Sequence, residues 1–358
     1  MHASETPGWD DDPQPHPAAG LSGGRRVLVT GGAGFIGSHL VKRLHALGHA
    51  VVVLDNMRRY CAPLTRVEHL ALAERLGALR ATCELVEGDA ADPRVMAGVL
   101  ETYRPTHVAH LAGVPLPAHA NAHPAEAYDS MIRSTTTLLG ALRQAAWVER
   151  LVFVSSTTVY GDFAAEPADE DHPLQPRDIY GGAKLASEVL VQSFARNFRL
   201  PCVIVRPSAV YGPGDINRRI TQIFVEHALA GAPLVLHDPA ARFDFTFVED
   251  AAEGLVLALL HPGAPDGIFN ITRGEGCSLL DLVGILRRWV PDLAIRAAPP
   301  SGLVPRRGAL SINRARQAMG YAPAVSLEDG MARCLAAAVQ SLAEAGLGRP
   351  AQFVRLQA

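Results

Sequence analysis

TGGAGFIG, residues 30 to 37, is the stretch that decides the fold of this chain. It follows the apolar run RRVLVT and leads into FIGSHLVKRLHALG, whose apolar residues recur at helical spacing. Gly31, Gly34 and Gly37 therefore form a GxxGxxG array between a predicted strand and a predicted helix. Glycines permit a tight turn and close approach of the backbone to a pyrophosphate, while the helix N-terminus supplies N–H groups. We interpret the stretch as the phosphate-binding turn of a dinucleotide site rather than as a purely structural turn.

Acidic residues end the next two predicted strands. Asp55 closes AVVVLD about 20 residues after the glycine turn, where a carboxylate can accept hydrogen bonds from the adenosine ribose. It would repel a 2′-phosphate, which favours NAD over NADP, although Arg58 and Arg59 lie close by. Asp89, in VEGDAADP, is placed to meet the adenine, but an Asp at this point is about as often a helix cap.

Short apolar runs alternate with longer helical patterns from Arg25 onward, which is typical of βαβ units. Because these runs are almost continuously apolar, helices should cover both faces of a parallel sheet. We predict an α/β fold with a Rossmann-type doubly wound parallel sheet and a smaller C-terminal substrate-binding lobe. The runs are RRVLVT, AVVVLD, THVAHLAG, RLVFVSS and PCVIVRP.

The domain prediction follows the loss of this alternation after Pro207. Two later segments, FDFTFVED and GIFNIT, resemble strands that return to the main sheet. The predicted units are a mobile N-terminal tail (residues 1–24), an NAD-binding Rossmann domain (25–207 and 239–275) and a substrate-binding lobe (208–238 and 276–350).

Composition narrows the class of ligand. The formal net charge of -3 provides no basic face for nucleic acid, so a small-molecule substrate is favoured. The five cysteines include no CxxC pair, which predicts neither a metal site nor a disulfide framework. No apolar run reaches the roughly 20 residues of a membrane span. We expect no membrane partner and a cytoplasmic location.

A predicted strand rich in hydroxyl residues and a helix with a YxxxK pair form the candidate catalytic end. LVFVSSTTVYG, residues 151 to 161, places Ser156 near the C-terminal end of a buried strand. DIYGGAKLASEVL places Tyr180 and Lys184 four residues apart, on one helix face. An ammonium beside a phenol lowers the phenol pKa from about 10 toward values useful for proton transfer. A lone YxxxK is usually a surface pair, but its order after the dinucleotide turn and the serine strand favours catalysis.

With these motifs in place, the chain resembles the extended short-chain dehydrogenase/reductases, specifically the NAD-dependent epimerase/dehydratase group that acts on nucleotide sugars, over about residues 25 to 335. The resemblance implies that Tyr180 is the acid/base, Lys184 its activator and a ribose contact, and Ser156 a hydrogen-bond donor to the reacting oxygen. It also implies further cofactor contacts at Phe35, Ile36, Asn56, Ala90, Leu111, Ala112, Gly113 and Pro207. The matching motifs are TGGAGFIG, GDAAD, HLAG, SSTTVYG, YGGAK, RPSAVYGPG, FTFVEDAAEG and GYAPAVSLEDGM.

Family dehydratases carry an Asp-Glu pair directly after the catalytic hydroxyl residue, whereas this chain has Thr157 and Thr158. Elimination of water needs an acid and a base beyond the tyrosine, so dehydration is disfavoured. Epimerisation needs only reversible hydride removal from a carbinol, and we expect a nucleotide-sugar 4-epimerase with a transient 4-keto intermediate. The alternatives are a dehydrogenase or ketoreductase of the same family acting on a sugar-derived substrate, and a non-catalytic NAD sensor.

The substrate side departs from the family pattern. Ala209 replaces an Asn in RxxNxYGP, Met131 replaces the Asn of the NxxGT helix, and Phe243 occupies a position where the family has Arg. Arg242 and Arg306 are expected to compensate with bidentate contacts to phosphate, although an exposed loop is the alternative for Arg306. The predicted substrate contacts are Ser156, Thr157, Tyr180, Ala209, Arg242 and Arg306.

Several other features carry weaker expectations. His110 ends a buried strand and is interpreted as a core histidine. His119 and His123 lie in a loop without acidic or cysteine partners in the sequence, which argues against a metal site. Helices over residues 124–147 and 178–198 have apolar faces that resemble the family's dimer-forming bundle, so we expect a homodimer.

Overall fold

The structure is a computed structural model that describes residues 24–61, 63–264, 266–299 and 305–347. The predicted N-terminal tail lies outside the described residues, apart from residue 24. The strands are β1 Arg26–Thr30, β2 Ala50–Asp55, β3 Glu84–Glu87, β4 His107–His110, β5 Arg150–Val154, β6 Cys202–Pro207, β7 Leu234–Leu236, β8 Arg242–Asp244, β9 Gly267–Ile271, β10 Gly276–Ser278 and β11 Ile295–Ala297. The α-helices are α1 Phe35–Ala46, α2 Arg66–Thr82, α3 Pro93–Tyr103, α4 Pro117–Ala122, α5 Pro124–Ala127, α6 Ser134–Leu142, α7 Ile179–Phe198, α8 Ile220–Ala230, α9 Val248–Leu260, α10 Leu279–Leu286, α11 Asn313–Met319 and α12 Leu327–Glu344.

The main sheet has seven parallel strands in the order β3-β2-β1-β4-β5-β6-β9. In the centre of the sheet, Val27 of β1 pairs with Val51 on one side and with His107 on the other. The strand order reverses between β1 and β4, and ligands of such sheets bind beyond the strand ends at this switch point. The prediction of a Rossmann-type doubly wound sheet is confirmed.

Helices cover both faces of this sheet. Val27 and Val29 point to a buried cluster that includes α1 and α9, whereas Leu28 points to the opposite cluster with α3, α6 and α7. Successive strand residues face opposite sides, so an uninterrupted apolar run supplies both cores at once. The glycine turn and the end of β5 are thereby fixed at the same edge of a rigid sheet.

The C-terminal lobe has its own apolar cluster, which includes Phe224, Leu236, Leu282 and Met331. GIFNIT forms β9 at the edge of the main sheet, as predicted. The prediction is wrong for the beginning of FDFTFVED, because β8 pairs antiparallel with β10 in a separate two-stranded sheet. The outer edge of β6 pairs with β9 and is not open to FDFTFVED. The end of that segment, from Val248 onward, is helical. The exact domain boundaries stay a prediction.

A helix that crosses a membrane needs about 20 mostly apolar residues. Within the part of the chain that the structure describes, no helix combines that length with enough apolar character.

Candidate active site

A cleft of about 460 Å³ opens beyond the C-terminal ends of the main-sheet strands. Its size lies within the range of roughly 300–1,000 Å³ that is common for small-molecule sites. The cleft is lined by all of the residues predicted to contact the cofactor or carry catalysis: Gly31, Gly34, Phe35, Ile36, Gly37, Asp55, Asn56, Asp89, Ala90, Leu111, Ala112, Gly113, Ser156, Tyr180, Lys184 and Pro207.

The glycine turn has no room for side chains. Gly31 has φ +72°, and a Cβ there would lie 2.8 Å from the backbone nitrogen of Ala112. A Cβ at Gly37 would lie 2.4 Å from the Gly31 carbonyl oxygen. Gly34 caps α1 without a side-chain hydrogen bond, so the first N–H groups of the helix face the cleft without a capping side chain. This cradle fits the pyrophosphate of a dinucleotide.

A cation that the sequence did not indicate lies beside this turn. Arg75 of α2 lines the cleft and donates from Nη1 to the Ala33 carbonyl oxygen over 3.4 Å. Its Nη2 donates to the Gly214 carbonyl oxygen. Burial lowers the pKa of Arg75, and the nearby carboxylates of Asp215 and Asp55 raise it. The positive charge adds to the N-terminal end of α1 in favouring an anionic ligand.

Asp55 is held by the backbone at the end of β2. Its Oδ2 accepts from the Ala33 N–H at 3.0 Å and its Oδ1 from the Met57 N–H at 2.9 Å. Burial raises the pKa of this carboxyl, and the two backbone hydrogen bonds oppose that shift. The carboxylate is therefore fixed in orientation and keeps lone pairs for ribose hydroxyls.

Asp89 also lines the cleft, and its Oδ1 accepts from the Ala91 N–H at 2.8 Å in a local turn. The cap of α3 is Asp92 instead, whose Oδ1 accepts from the Arg94 N–H at 2.8 Å. The alternative prediction that Asp89 is a helix cap is wrong. Its contact with the cofactor stays a prediction.

Ser156 and Tyr180 meet at the catalytic end of the cleft. Ser156 follows β5 and caps a 3-10 turn, Thr157–Tyr160, by accepting from the Thr158 N–H at 3.2 Å. Tyr180 is the second residue of α7, which Asp178 caps by accepting from the Gly181 N–H at 2.6 Å. Ser156 lies near enough to Tyr180 to lower the pKa of its phenol, and both side chains line the cleft.

Lys184 lies one turn further along α7 and is buried. Its Nζ donates to the Val154 carbonyl oxygen at 2.7 Å and lies 5.3 Å from the centre of the Phe153 ring. Burial lowers the pKa of the Lys184 ammonium to about 8, while Glu188 raises it. The ammonium is fixed at the C-terminal end of β5, at the base of the cleft.

The charges around Tyr180 differ from the sequence-based expectation. Burial raises the pKa of the phenol, and the cations that lower it are Arg219 and, more weakly, Arg307, whereas Asp178 raises it. Lys184 is not among the main influences on this pKa. Both arginines line the cleft, and neither was among the residues predicted from the sequence. The sequence offered only a weak signal, because the Arg-Arg dipeptides at 218–219 and 306–307 are two of five in the chain.

Two predicted substrate contacts lie outside the cleft lining. Arg242 is on β8, where its Nη2 lies 3.2 Å from Glu166 Oε1 and donates to the Gly276 carbonyl oxygen at 3.1 Å. Arg306 is exposed, and its backbone N–H donates to Asp162 Oδ1 at 2.8 Å. Arg242 is paired with Glu166, and Arg307 is the member of its pair that lines the cleft. Substrate contacts of Arg242 and Arg306 stay a prediction.

The other predicted substrate contacts, Thr157 and Ala209, line the cleft. Ala209 has φ +35°, a left-handed backbone conformation that Asn adopts more readily than Ala. Met131 is buried in the π-helical turn Tyr128–Arg133 and packs in the same small apolar cluster as Tyr180. The apolar face of the substrate end is completed by Phe243 and Phe245.

The histidines take structural positions. His110 is buried, with Nδ1 2.7 Å from Thr30 Oγ1 and Nε2 3.2 Å from Thr135 Oγ1, and burial lowers its pKa to about 3. This geometry agrees with a hydrogen-bonded core histidine. The expectation that His119 lacks an acidic partner is wrong, because its Nε2 lies 3.0 Å from Glu126 Oε2. Within the described residues, no cluster of three or more potential ligands could hold a metal ion.

Comparisons with known proteins identify the family. A model of the NAD dependent epimerase/dehydratase family matches residues 27–272. UDP-glucose 4-epimerase of Mycolicibacterium smegmatis is 34% identical over 86% of this chain and 96% of its own length. UDP-glucuronate 4-epimerase 1 of Arabidopsis thaliana is 31% identical over 87% of this chain and 76% of its own length.

Solved structures agree in fold. UDP-glucose 4-epimerase from Thermotoga maritima, solved with UDP-glucose, has a TM-score of 0.80 at 28% identity and covers 88% of this chain and 99% of its own. UDP-glucuronic acid 4-epimerase from Bacillus cereus, solved with UDP-glucuronic acid and NAD, has a TM-score of 0.80 at 26% identity with the same coverage of both chains. The matched residues, the shared fold and the glycine cradle all agree. The chain belongs to the NAD-dependent epimerase/dehydratase family.

Proposed function

We propose that this protein is an NAD-dependent epimerase of nucleotide sugars that inverts C4 through a transient 4-keto intermediate. The observation that carries the proposal is the meeting of Ser156, Tyr180 and Lys184 in the cleft that the glycine turn also lines. The similarity to UDP-sugar 4-epimerases over most of the chain supports the same reaction class.

Each residue has one role in this proposal. Tyr180 takes the proton from the C4 hydroxyl, and Ser156 hydrogen-bonds the same oxygen. Bound NAD supplies a reversible acceptor for the C4 hydride. Lys184 holds a positive charge at the base of the site and contacts the ribose. When the keto sugar has turned over and is reduced on its other face, Tyr180 would return the proton to the C4 oxygen.

Dehydration is the reaction that the site supports least. Thr157 and Thr158 follow Ser156 in the 3-10 turn, and both are buried. A threonine hydroxyl is too weak an acid and base to replace a carboxylate pair. A site with one acid/base and one hydrogen-bond donor is sufficient for reversible oxidation at a single carbon.

The test uses the purified protein without added cofactor. UDP-glucose, UDP-galactose, UDP-glucuronate and their dTDP counterparts are incubated separately, and the products are separated by chromatography. We expect one pair of 4-epimers to approach equilibrium with no net formation of reduced nicotinamide. Oxidation that consumes added NAD stoichiometrically would make the protein a dehydrogenase, and NAD binding without any turnover would make it a sensor.

We further propose that the protein is a homodimer. Val189 and Phe198 of α7 are 54% and 49% exposed, and Tyr128 in the adjacent π-helical turn is 45% exposed. Val189 and Phe198 lie on different sides of α7, so we assign the association surface to the side that exposes Val189. Light scattering coupled to size-exclusion chromatography should give twice the chain mass, and Val189→Asp should shift it toward the monomer. A monomeric wild-type protein at micromolar concentration would contradict this proposal.

A further inference from the structure

We propose that Glu126 is a positioning residue for cofactor choice, because it occupies the guanidinium of Arg58 and so withholds that cation from the 2′-phosphate of NADP. Glu126 and Asp55 then favour NAD in two different ways. Asp55 repels the phosphate, and Glu126 holds back a group that would attract it. The inference concerns cofactor binding and does not depend on the reaction that follows.

The loop after β2 carries two cations in an NAD site. Arg58 and Arg59 follow Asp55 closely in the sequence, and all three line the cleft. In dinucleotide-binding folds an acidic residue near the end of β2 binds the ribose hydroxyls of NAD, whereas an arginine nearby accommodates the 2′-phosphate of NADP. The loop contains both kinds of residue. A carboxylate that occupies one of the arginines would therefore favour NAD.

Arg58 is paired with a carboxylate from a distant part of the chain. Its Nε lies 3.2 Å from Oε1 of Glu126, on α5. Its backbone N–H donates to Asn56 Oδ1 at 3.1 Å, which fixes the turn of the loop. The Glu126 side chain is 20% exposed and that of Arg58 is 58% exposed. The carboxylate is thus the fixed partner, and the guanidinium is the partner that has room to reorient.

Glu126 is held from its other side as well. Its Oε2 lies 3.0 Å from Nε2 of His119, whose ring meets the Tyr60 ring edge to face with centres 5.1 Å apart. Tyr60 packs against a small apolar cluster that includes Ala120 of α4 and Ala127 of α5. The loop after β2 and these two helices are therefore packed together. Glu126 is not among the described residues that line the cleft, so we expect it to act through the arginine rather than by touching the cofactor.

The ion pair competes with the binding of NADP. A guanidinium that binds the 2′-phosphate must first leave the Glu126 carboxylate, so the strength of the pair is subtracted from the affinity for NADP. NAD carries a neutral hydroxyl at the same position and does not need the released cation. A partly exposed pair changes an equilibrium constant by a factor of about two to five. The pair therefore adds a modest preference to the one that Asp55 provides.

The experiment measures the dissociation constants of NAD and NADP by fluorescence titration. Glu126→Gln removes the charge and keeps the shape of the side chain. We expect the affinity for NADP to rise by about two- to fivefold while the affinity for NAD stays within about twofold of wild type. The comparison is repeated in an Asp55→Ala background, where NADP meets less repulsion and the rise should be at least as large.

Arg58→Met identifies the group through which Glu126 acts. Added to the variant that combines Asp55→Ala and Glu126→Gln, it should return the affinity for NADP to the Asp55→Ala value or below. Glu249→Gln is the matched control, because Glu249 lies 3.2 Å from Arg333 and neither residue is in the cleft lining. Thermal unfolding is measured for every variant. If Glu126→Gln does not fold, Arg58→Met alone still tests the inference, since it should leave NADP affinity within about twofold of wild type.

Three results would overturn the inference. An unchanged NADP affinity in Glu126→Gln, in both backgrounds, would show that the pair does not withhold Arg58. A gain that persists in the absence of Arg58 would assign the effect to direct repulsion between Glu126 and the phosphate. A large loss of NADP affinity in Arg58→Met alone would show that this arginine already reaches the cofactor. Because every readout is binding, a failure to epimerise any nucleotide sugar would remove the proposed function and leave this inference standing.

Discussion

Arg206 donates from Nη2 to Glu188 Oε2 over 2.6 Å, with both side chains 1% exposed. A second bond from Nε to Oε1, at 3.0 Å, makes the pair bidentate. Arg206 is on β6, and Glu188 is on α7 one turn after Lys184. Arg206 also donates to the Tyr160 hydroxyl at 3.0 Å, which donates to Asn270 Oδ1 at 2.7 Å. One buried network therefore fixes the catalytic helix against two strands and the turn that follows Ser156.

Removal of one partner of this pair should be costly. Arg206→Met leaves the Glu188 carboxylate buried without its cation, and we expect the free energy of unfolding to fall by about 3–5 kcal/mol. The double variant Arg206→Met with Glu188→Met should recover most of that loss. Urea unfolding measures both. A double variant as unstable as the sum of the two single variants would show that the network stabilises by some other means.

Tyr180→Phe should remove nearly all turnover while NAD still binds. The substitution removes the oxygen to which we assign the proton transfer, a loss of roughly 10²–10⁴-fold, whereas the glycine turn is untouched. Turnover is measured with the substrate that the wild type epimerises, and NAD binding by fluorescence. Tyr128→Phe is the control, because Tyr128 is exposed and outside the cleft lining. Wild-type turnover in Tyr180→Phe would exclude this residue as the acid/base.

Asp55→Ala should weaken the preference for NAD over NADP. The variant loses the carboxylate that we expect to accept from ribose hydroxyls and to repel a 2′-phosphate. We expect NAD affinity to fall by about tenfold, in line with the loss of a charged hydrogen-bond acceptor, and NADP affinity to rise. Titration with both cofactors measures the ratio. An unchanged ratio would mean that another group discriminates between them.

Ala209→Asn should stabilise the protein. Ala209 has φ +35°, and the left-handed conformation costs an alanine roughly 1–2 kcal/mol. Asn tolerates this region better, so we expect the unfolding free energy to rise by about 0.5–1 kcal/mol. Ala209→Val should lower it, because a β-branched side chain is more strongly disfavoured at positive φ. Thermal unfolding of the wild type and both variants measures the order of stability. A less stable Ala209→Asn or a more stable Ala209→Val would contradict the strain argument.

Arg219→Met should move the pH profile of kcat/KM for UDP-glucose. Arg219 lowers the pKa of the Tyr180 phenol, so its removal raises that pKa. Activity that rises as the phenol loses its proton should then rise at a higher pH than in wild type. A neutral sugar is used so that the sugar carries no ionisable group of its own. A rising limb at the wild-type pH would show that Arg219 does not influence the ionisation of Tyr180.

The parallel sheet and the cofactor end of the cleft could be predicted because their signals are local. Apolar runs specify strands buried on both faces, and the glycine spacing specifies the turn. The substrate end depends on loops that follow Pro207, where no periodicity indicates which way a side chain points. Arg218, at φ +50°, turns to Glu68 and the Pro63 carbonyl, whereas its neighbour Arg219 faces the cleft. That difference arises from backbone torsion and tertiary contacts, which a single sequence does not display.

The late position of β9 in the sequence affects how the sheet folds while the chain is being synthesised. By the time Pro207 leaves the ribosome, the glycine turn, Ser156, Tyr180 and Lys184 have all emerged. The edge of β6 is still open, because its partner β9 ends at Ile271. An open apolar strand edge is a template for aggregation. A nascent chain therefore carries a finished catalytic sequence on an unfinished sheet for about 60 residues, at a typical ~5–20 residues per second, and its need for chaperones should be greatest in that interval.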